Sequence, residues 1–353
     1  MSKRSIQRLA VAGAFLFAAS AAQAGDDRTG ATSAHGTAST NYATTGTKGD
    51  LSLSQLAAMP KTVQPFPVPL KTFAARFLKG KTRIYVPSYA LVIVRSGSAT
   101  AYAGGFGSTQ NSRRSSIKTG LVGVSEDLAT QLAGEAYADL VKRLKDAGYE
   151  VFTADGLPPD APAPLAAPVK GATGQPVYAP PGAPIRPGAP GLATFASNIY
   201  AFGKMAETND ATVLQPGLAI DYEWLESSGS HAYSATAEVG ARLRFHVVGN
   251  SGANIITKSR PPYRGGWPGS FLVQNGAGTD EPFGVMYEVD DRSDSRILSN
   301  AMALAGFGSM YRQSKVYAVE VDPDRYAALV RAAFQGMNAS IVESMKAVAD
   351  KEK

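Results

Sequence analysis

The stretch from Ser125 to Ala147 limits what this chain can fold into more than any other. Ser125 is a good N-cap, and Glu126 and Asp127 put negative charge at the positive end of the helix dipole. Leu128, Leu132, Ala136, Leu140 and Leu144 recur every four residues, and Ala129, Ala133 and Val141 widen the stripe. Lys142, Arg143 and Lys145 crowd the last turn, and Gly148 ends the helix. Strand-like runs flank it: Ile84–Val86 and Tyr89–Val94 before, Tyr149–Phe152 after, with Pro87 as a break or bulge. A one-sided helix between strands has to lie on a sheet. The continuously apolar Tyr89–Val94 suits a strand covered on both faces.

The later chain adds more sheet. Leu218, Ile220, Tyr222 and Trp224 alternate with Asp221 and Glu223. From Tyr233 to Val248, Val239, Ala241, Leu243, Phe245 and Val247 alternate with Glu238, Arg242, Arg244 and His246. Ser227-Ser228-Gly229-Ser230 is turn chemistry, so these two strands should pair antiparallel. Asn250-Ser251-Gly252 reads as a second turn, and Asn254–Lys258 as a return strand. The result is a meander with one buried and one wet face. Phe195–Met205 and Ser295–Phe307 read as helices, Pro261–Phe283 as a Gly/Pro-rich loop, and Val316–Val321 as a strand. Asp322-Pro323 opens a final helix whose stripe runs from Tyr326 to Met345. Ser96–Gly120 is small, polar and Gly-rich, either a long loop or a hairpin of two outward-facing strands. The expected class is α+β, a mixed or antiparallel sheet with helices packed on it and a long Pro-rich insertion.

Lys3, Arg4 and Arg8, the apolar run Leu9–Ala22 and the small-x-small site Ala22-Gln23-Ala24 form a secretory signal of bacterial type. The apolar run is shorter than the roughly 20 residues of a bilayer span. Residues 25–82 read as a disordered then extended lead-in: Gly, Ser and Thr dominate to Asp50, and Pro65, Pro67 and Pro69 follow. One domain is expected over 83–350, interrupted at 155–190 by a segment with eleven prolines. That segment is a linker, a loose insertion or an arm that wraps a surface. Removing Lys3, Arg4 and Arg8 lowers the formal charge from +6 to +3. That is too weak, and too little interleaved with aromatics, for a nucleic-acid partner. With no cysteine, thiol catalysis, disulfides, lipidation at a signal cysteine and Cys-ligated metals are excluded.

Constellations with chemistry are few. His231 and His246 lack a metal-binding spacing, and each reads as a solvated surface histidine. Ser115–Lys118 matches Ser-x-x-Lys and Lys118-Thr119-Gly120 matches Lys-Thr-Gly, but penicillin-recognising enzymes need two separate lysines. Arg113-Arg114 reads as a loop pair. Asp290, Asp291 and Asp294 lack the glycine and distal glutamate of a calcium loop. Tyr263 and Trp267 offer a binding platform or a packed loop. Asp221, Glu223 and Glu226 with Arg242 and Arg244 read as cross-strand charge pairs. The weak catalytic candidates are Asp221, Glu223 and His246; no cofactor or metal is expected.

Three stretches carry a resemblance. Tyr89–Val94, Leu128–Val151 with its ending Gly148-Tyr149-Glu150-Val151, and Val239–Thr257 resemble the opening strand, helix–strand and strand–turn–strand of curli-secretion-channel (CsgG-like) periplasmic domains and of the TolB amino-terminal domain. The lack of a lipidated cysteine and the Pro-rich insertion depart from that pattern. The resemblance implies a component of envelope assembly or export that forms oligomers, and carries over no catalytic residue. The leading expectation is a non-enzymatic, periplasmic or secreted protein that binds envelope proteins or itself, with peripheral membrane association open. The alternative is a periplasmic hydrolase or ligand-binding protein whose site is built from scattered residues.

Overall fold

The computed structural model describes residues 40–45, 51–78, 80–103, 113–153, 177–179, 196–228, 237–257, 269–288 and 314–350. In chain order the strands are β1 (Thr40–Thr45), β2 (Leu70–Phe73), β3 (Arg83–Tyr85), β4 (Ala90–Ile93), β5 (Ser96–Ala103), β6 (Arg113–Val122), β7 (Glu150–Phe152), β8 (Val177–Tyr178), β9 (Thr212–Ser228), β10 (Ala237–Val247), β11 (Gly252–Ile256), β12 (Gly269–Val273), β13 (Ala277–Thr279), β14 (Gly284–Glu288) and β15 (Ser314–Val321). The helices are α1 (Leu53–Ala57), α2 (Glu126–Asp146), α3 (Ala196–Thr208) and α4 (Pro323–Asp350). Among the described residues eleven strands form one mixed sheet and four form a second, in the order β14-β15-β6-β5. The class is α+β, as the alternation of periods indicates.

β9 is the spine of the larger sheet. Gly217 pairs with both Ala90 and Gly252, and Ile220 with both Ile93 and Val247. β4 therefore lies along one edge of β9, while β10 and β11 share the other. Both run antiparallel to β9, so β11 continues the line of β10. This corrects the expected turn and return strand at Asn250. Val248–Ser251 is a jog: Asn250 takes a positive φ of 67°, and the Ser251 hydroxyl accepts from the Ala219 amide (3.0 Å) and donates to the Val248 carbonyl (2.7 Å). A short hydroxyl side chain thus fills the ladder position that the backbone vacates.

Two strand–helix units stand side by side. β6 and β15 are parallel neighbours, and each leads directly into a long helix, α2 or α4. The expected caps are in place: the Leu128 amide donates to the Ser125 hydroxyl (3.1 Å) and the Arg325 amide to the Asp322 carboxylate (2.8 Å). The helices lock through buried Asn338, which donates to the Ala136 carbonyl and the Asp139 carboxylate and accepts from the Tyr89 hydroxyl. Arg331 and Glu135 add a two-pronged ion pair. The helix stripes bury against β4, β9, β10 and β11 in the main core, together with Phe245, Phe283 and Tyr326. A smaller core holds Phe202 and Met205 of α3 against Tyr85, Val213 and Ile256.

The ordered chain begins before Arg83, which corrects the extended lead-in. Ser52 and Gln55 cap α1 reciprocally, and Leu56 and Val68 are fully buried. Arg325 donates to the Pro60 carbonyl (2.6 Å), Lys61 pairs with Asp322 (2.6 Å), and Phe66 crosses α4 at Gly336. β1 also lies within the lead-in and pairs with β10. Within Pro261–Phe283, expected as loop, β12 and β13 join the sheet. Within the Pro-rich stretch, β8 pairs with β4 and Val177–Ala179 is buried, so this point is packed. The described residues of Ser96–Gly120 pair as a hairpin, with Arg113-Arg114 on a strand rather than a loop, but its strands do not both face outward: Ile117 and Thr119 are buried, and Ala99 packs against Val239 and Ala241. The signal segment, Ser295–Phe307, Tyr263, Trp267, His231 and the Asp290–Asp294 turn lie outside the described residues.

Candidate functional site

β9 and β10 bring Asp221, Glu223 and His246 together. Glu223 lies opposite Leu243 and Asp221 opposite His246, so Arg244 and Phe245 together face Tyr222. This two-for-one bulge re-aims the ladder. The Asp221 carboxylate accepts from the amides of Tyr222 (2.7 Å) and Glu223 (3.3 Å), which fixes its rotamer. The His246 Nδ1 lies 3.3 Å from the Arg244 carbonyl, and its ring meets Trp224 edge-on at 5.9 Å. The guanidinium groups of Arg242 and Arg244 lie over Trp224 at 5.7 and 5.4 Å. Neither arginine stands opposite a carboxylate on β9: Arg242 faces Trp224, and Arg244 sits in the bulge near Asp280 (3.9 Å). Both guanidinium groups thus make cation–aromatic contacts with Trp224.

The face that carries Glu223 is not wet, which corrects the meander's expected second face. β5 and β6 cover it. Glu223 is only 4% exposed, and a Cβ on Gly97 of β5 would overlap its Oε1. Its Oε2 is buried without a hydrogen-bond partner. Thr119 of β6 and Tyr222 share a hydrogen bond between hydroxyls at 2.9 Å. Burial pushes the Glu223 carboxyl well above the usual glutamate range, and the Asp221 charge adds to this; Thr119 and Tyr222 oppose it. Burial raises Asp221 as well, against the pull of the His246 charge and the two amides. Burial also raises the Tyr222 phenol well above its ordinary value, with the Glu223 charge adding.

Beside this cluster lies a buried cation. Arg95 is 5% exposed and donates to the Val124 carbonyl and the Tyr178 hydroxyl (2.9 Å), with its guanidinium 5.8 Å from the Tyr178 ring. It pins β8 to the corner where the chain passes from β4 into β5. Sequence reasoning missed Arg95, Thr119, Tyr178 and Gly97. The alternation Ile117-Thr119-Leu121 was the legible signal for one inward face of β6; nothing local marks Gly97 or Tyr178.

Chemically the arrangement encloses Glu223 between the two sheets, where burial favours its protonated form over the carboxylate. Two carboxyl groups and an imidazole suit acid–base chemistry only where a substrate can reach them, and β5 lies across Glu223. Ser115, Ser116 and Lys118 lie on β6, opposite Ala101, Thr100 and Ser98, not at the start of a helix as Ser-x-x-Lys chemistry needs. Among the described residues no set of three or more His, Asp and Glu side chains is grouped to hold a metal ion, and no helix is long and apolar enough to cross a membrane. The fold and the site together define an α+β protein with an interior acid cluster between two sheets. No protein family, curated protein or solved structure matches this chain.

Proposed function

We propose that this chain is a secreted component of the bacterial cell envelope that works by binding other proteins, with a role in envelope assembly or export. The observation that carries the reading is β1. Thr40–Thr45 lies along β10 in a six-residue parallel register, from Thr40 beside Ala237 to Thr45 beside Arg242. A Thr-rich segment nearly two hundred residues away in sequence is thus taken up at a sheet edge through its backbone. Strand addition of this kind is a common way for proteins to bind extended peptides. Lys3, Arg4, Arg8 and the Ala22-Gln23-Ala24 site support export, and the resemblance to CsgG-like and TolB amino-terminal domains supports an envelope role.

A second reading, a periplasmic hydrolase or ligand-binding protein, draws on the pairing of Asp221 with His246. Crosslinking in intact envelopes separates the two. Under the binding reading the chain is recovered after cleavage behind Ala24, joined to specific envelope proteins, and alanine at Asp221 or His246 leaves that recovery unchanged. Recovery of the chain alone in every fraction, or loss of its phenotype in a folded His246→Ala variant, would count for the second reading.

A further inference from the structure

The strand that seals Glu223 is an outer strand with little to hold it down. β6 is flanked on both sides, by β5 and by β15, and leads into α2. Among the described residues β5 pairs with β6 alone and ends the four-stranded sheet. Over Glu223 it sets Gly97, which has no side chain to bury. Ser98 is exposed, and the next inward residue, Ala99, is half-buried against Val239 and Ala241. An outer strand with so little apolar area in contact belongs to the part of a fold that opens locally before the whole unfolds. Its upstream end, by contrast, is fixed. Arg95 donates to the Val124 carbonyl and the Tyr178 hydroxyl, and its own carbonyl accepts from the Leu121 amide (2.9 Å). Arg95 thus offers a pivot two residues before Gly97.

Among the described residues the groups around the Glu223 carboxyl are acids and hydroxyls. β9 supplies Asp221 and the Tyr222 phenol, β6 the Thr119 hydroxyl, and β5 only the backbone at Gly97. From β10, Leu243 stands opposite Glu223 and His246 opposite Asp221, while the guanidinium groups of Arg242 and Arg244 lie over Trp224. From α4, the Tyr326 phenol feels the charges of Asp221 and Arg95. The Glu223 Oε2 is buried without a hydrogen-bond partner. A neutral carboxyl tolerates such a place, whereas a carboxylate there has lost its water and faces a second acid. We infer that β5 is a pH-sensitive latch: when Glu223 gives up its proton to solvent, the Gly97 segment swings away from β9 about Arg95 and lets water reach the carboxylate. The closed form binds this proton more tightly than the open form. Each unit of pH above the ordinary glutamate range therefore favours opening by up to about tenfold, until the closed form also ionises. Asp221 pushes Glu223 in the same direction, and its own carboxylate is held by the Tyr222 and Glu223 amides, so it stays with β9 when β5 moves. The latch closes in acid and opens toward alkaline pH, and it stands independently of the protein-binding reading.

Native-state hydrogen exchange of the purified chain, read by mass spectrometry from about pH 5 to about pH 8 with intrinsic exchange rates divided out, tests this. The β5 peptide is expected to lose protection by at least about tenfold over that span, while the α2 peptide keeps its protection. In Glu223→Gln the ratio of β5 to α2 protection is expected to be flat with pH. Asp221→Asn, which removes the neighbouring charge, is expected to leave a β5 loss that is smaller than in wild type. A β5 peptide whose protection is constant with pH overturns the inference, because Glu223 is then sealed whatever its charge. A loss in β5 that only keeps step with α2 also overturns it, by making the titration a matter of global unfolding. So does a β5 loss that persists unchanged in Glu223→Gln, by assigning the proton to another group. The wild-type comparison of β5 with α2 keeps the latch falsifiable even where the glutamine variant does not fold.

Discussion

The strands β9 and β10 are sealed in two different ways. Toward the helices, Phe245 meets Phe66, Phe283 and Tyr326 at ring separations of 5.7–6.5 Å, in a core of large apolar groups. Toward the second sheet, the contacts come from Gly97, Ala99 and Thr119, and a glutamate is enclosed. The helical side gains from buried area. The sheet side gains from close approach, and it encloses an acid whose burial favours the protonated form. One pair of strands thus has one face built of apolar groups and one that encloses a titratable acid.

The largest effect should come from breaking the helical side. Phe245→Ala leaves a cavity among three aromatic rings and should cost about 3–5 kcal/mol in denaturant unfolding. If it costs no more than Thr119→Val, the contrast between the faces is wrong. Gly336→Ala comes next. A Cβ there overlaps the Phe66 carbonyl, so the crossing segment must lift, at a cost of about 1–3 kcal/mol. Thermal unfolding, with near-UV dichroism for the aromatic core, measures it.

On the sheet side, Thr119→Val removes the hydroxyl partner of Tyr222 and should cost about 1 kcal/mol. Glu223→Gln changes the sign of the effect with pH. The folded state holds the Glu223 proton more tightly than the unfolded state does. Its stabilising contribution is therefore full below the ordinary glutamate range, near about pH 4.3, and is lost as pH rises through the raised folded value. Glu223→Gln should flatten this decline and exceed wild type in unfolding midpoint at pH 8. Asp221 shifts in the same direction, so a residual slope should remain. An unchanged pH profile would show that Glu223 is not the proton holder. The smallest effect belongs to Lys142→Ala, which breaks the exposed pair with Asp146 and should change stability by less than about 0.5 kcal/mol.

The helical side was legible in the sequence because its signals are local. Ser125, the leucines of α2 and Gly148 specify one helix within 24 consecutive residues, and Asp322-Pro323 does the same for α4. Alternation in β9 and β10 was equally clear, and the candidates Asp221, Glu223 and His246 did meet. The chemistry of that meeting was not legible. Alternation says which residues share a face; it does not say that Ser96–Gly120, poor in large apolar residues, would fold over that face. Small residues read as exposed loop because they bury little area, yet Gly97 is where it is because nothing larger clears Glu223. The jog at Asn250 misled for a related reason: Asn-Ser-Gly is turn chemistry, and a positive-φ Asn with a hydroxyl cap serves a bulge as well as a hairpin.

The side-by-side strand–helix units set the order in which the molecule can be completed. β6 and β15 are neighbours whose paired residues lie roughly 200 positions apart in sequence. Such a high contact order slows folding, because the intervening chain must be closed into a loop before the pairing repays it. A chain threaded amino end first through a narrow channel would deliver β6 and α2 long before β15 and α4 arrive. Until then α2 lacks Arg331 and Asn338, and the β6 flank that β15 will occupy stays open. Such a fold is completed only once β15 and α4 are available, and the interval before that is when the chain is most exposed to aggregation.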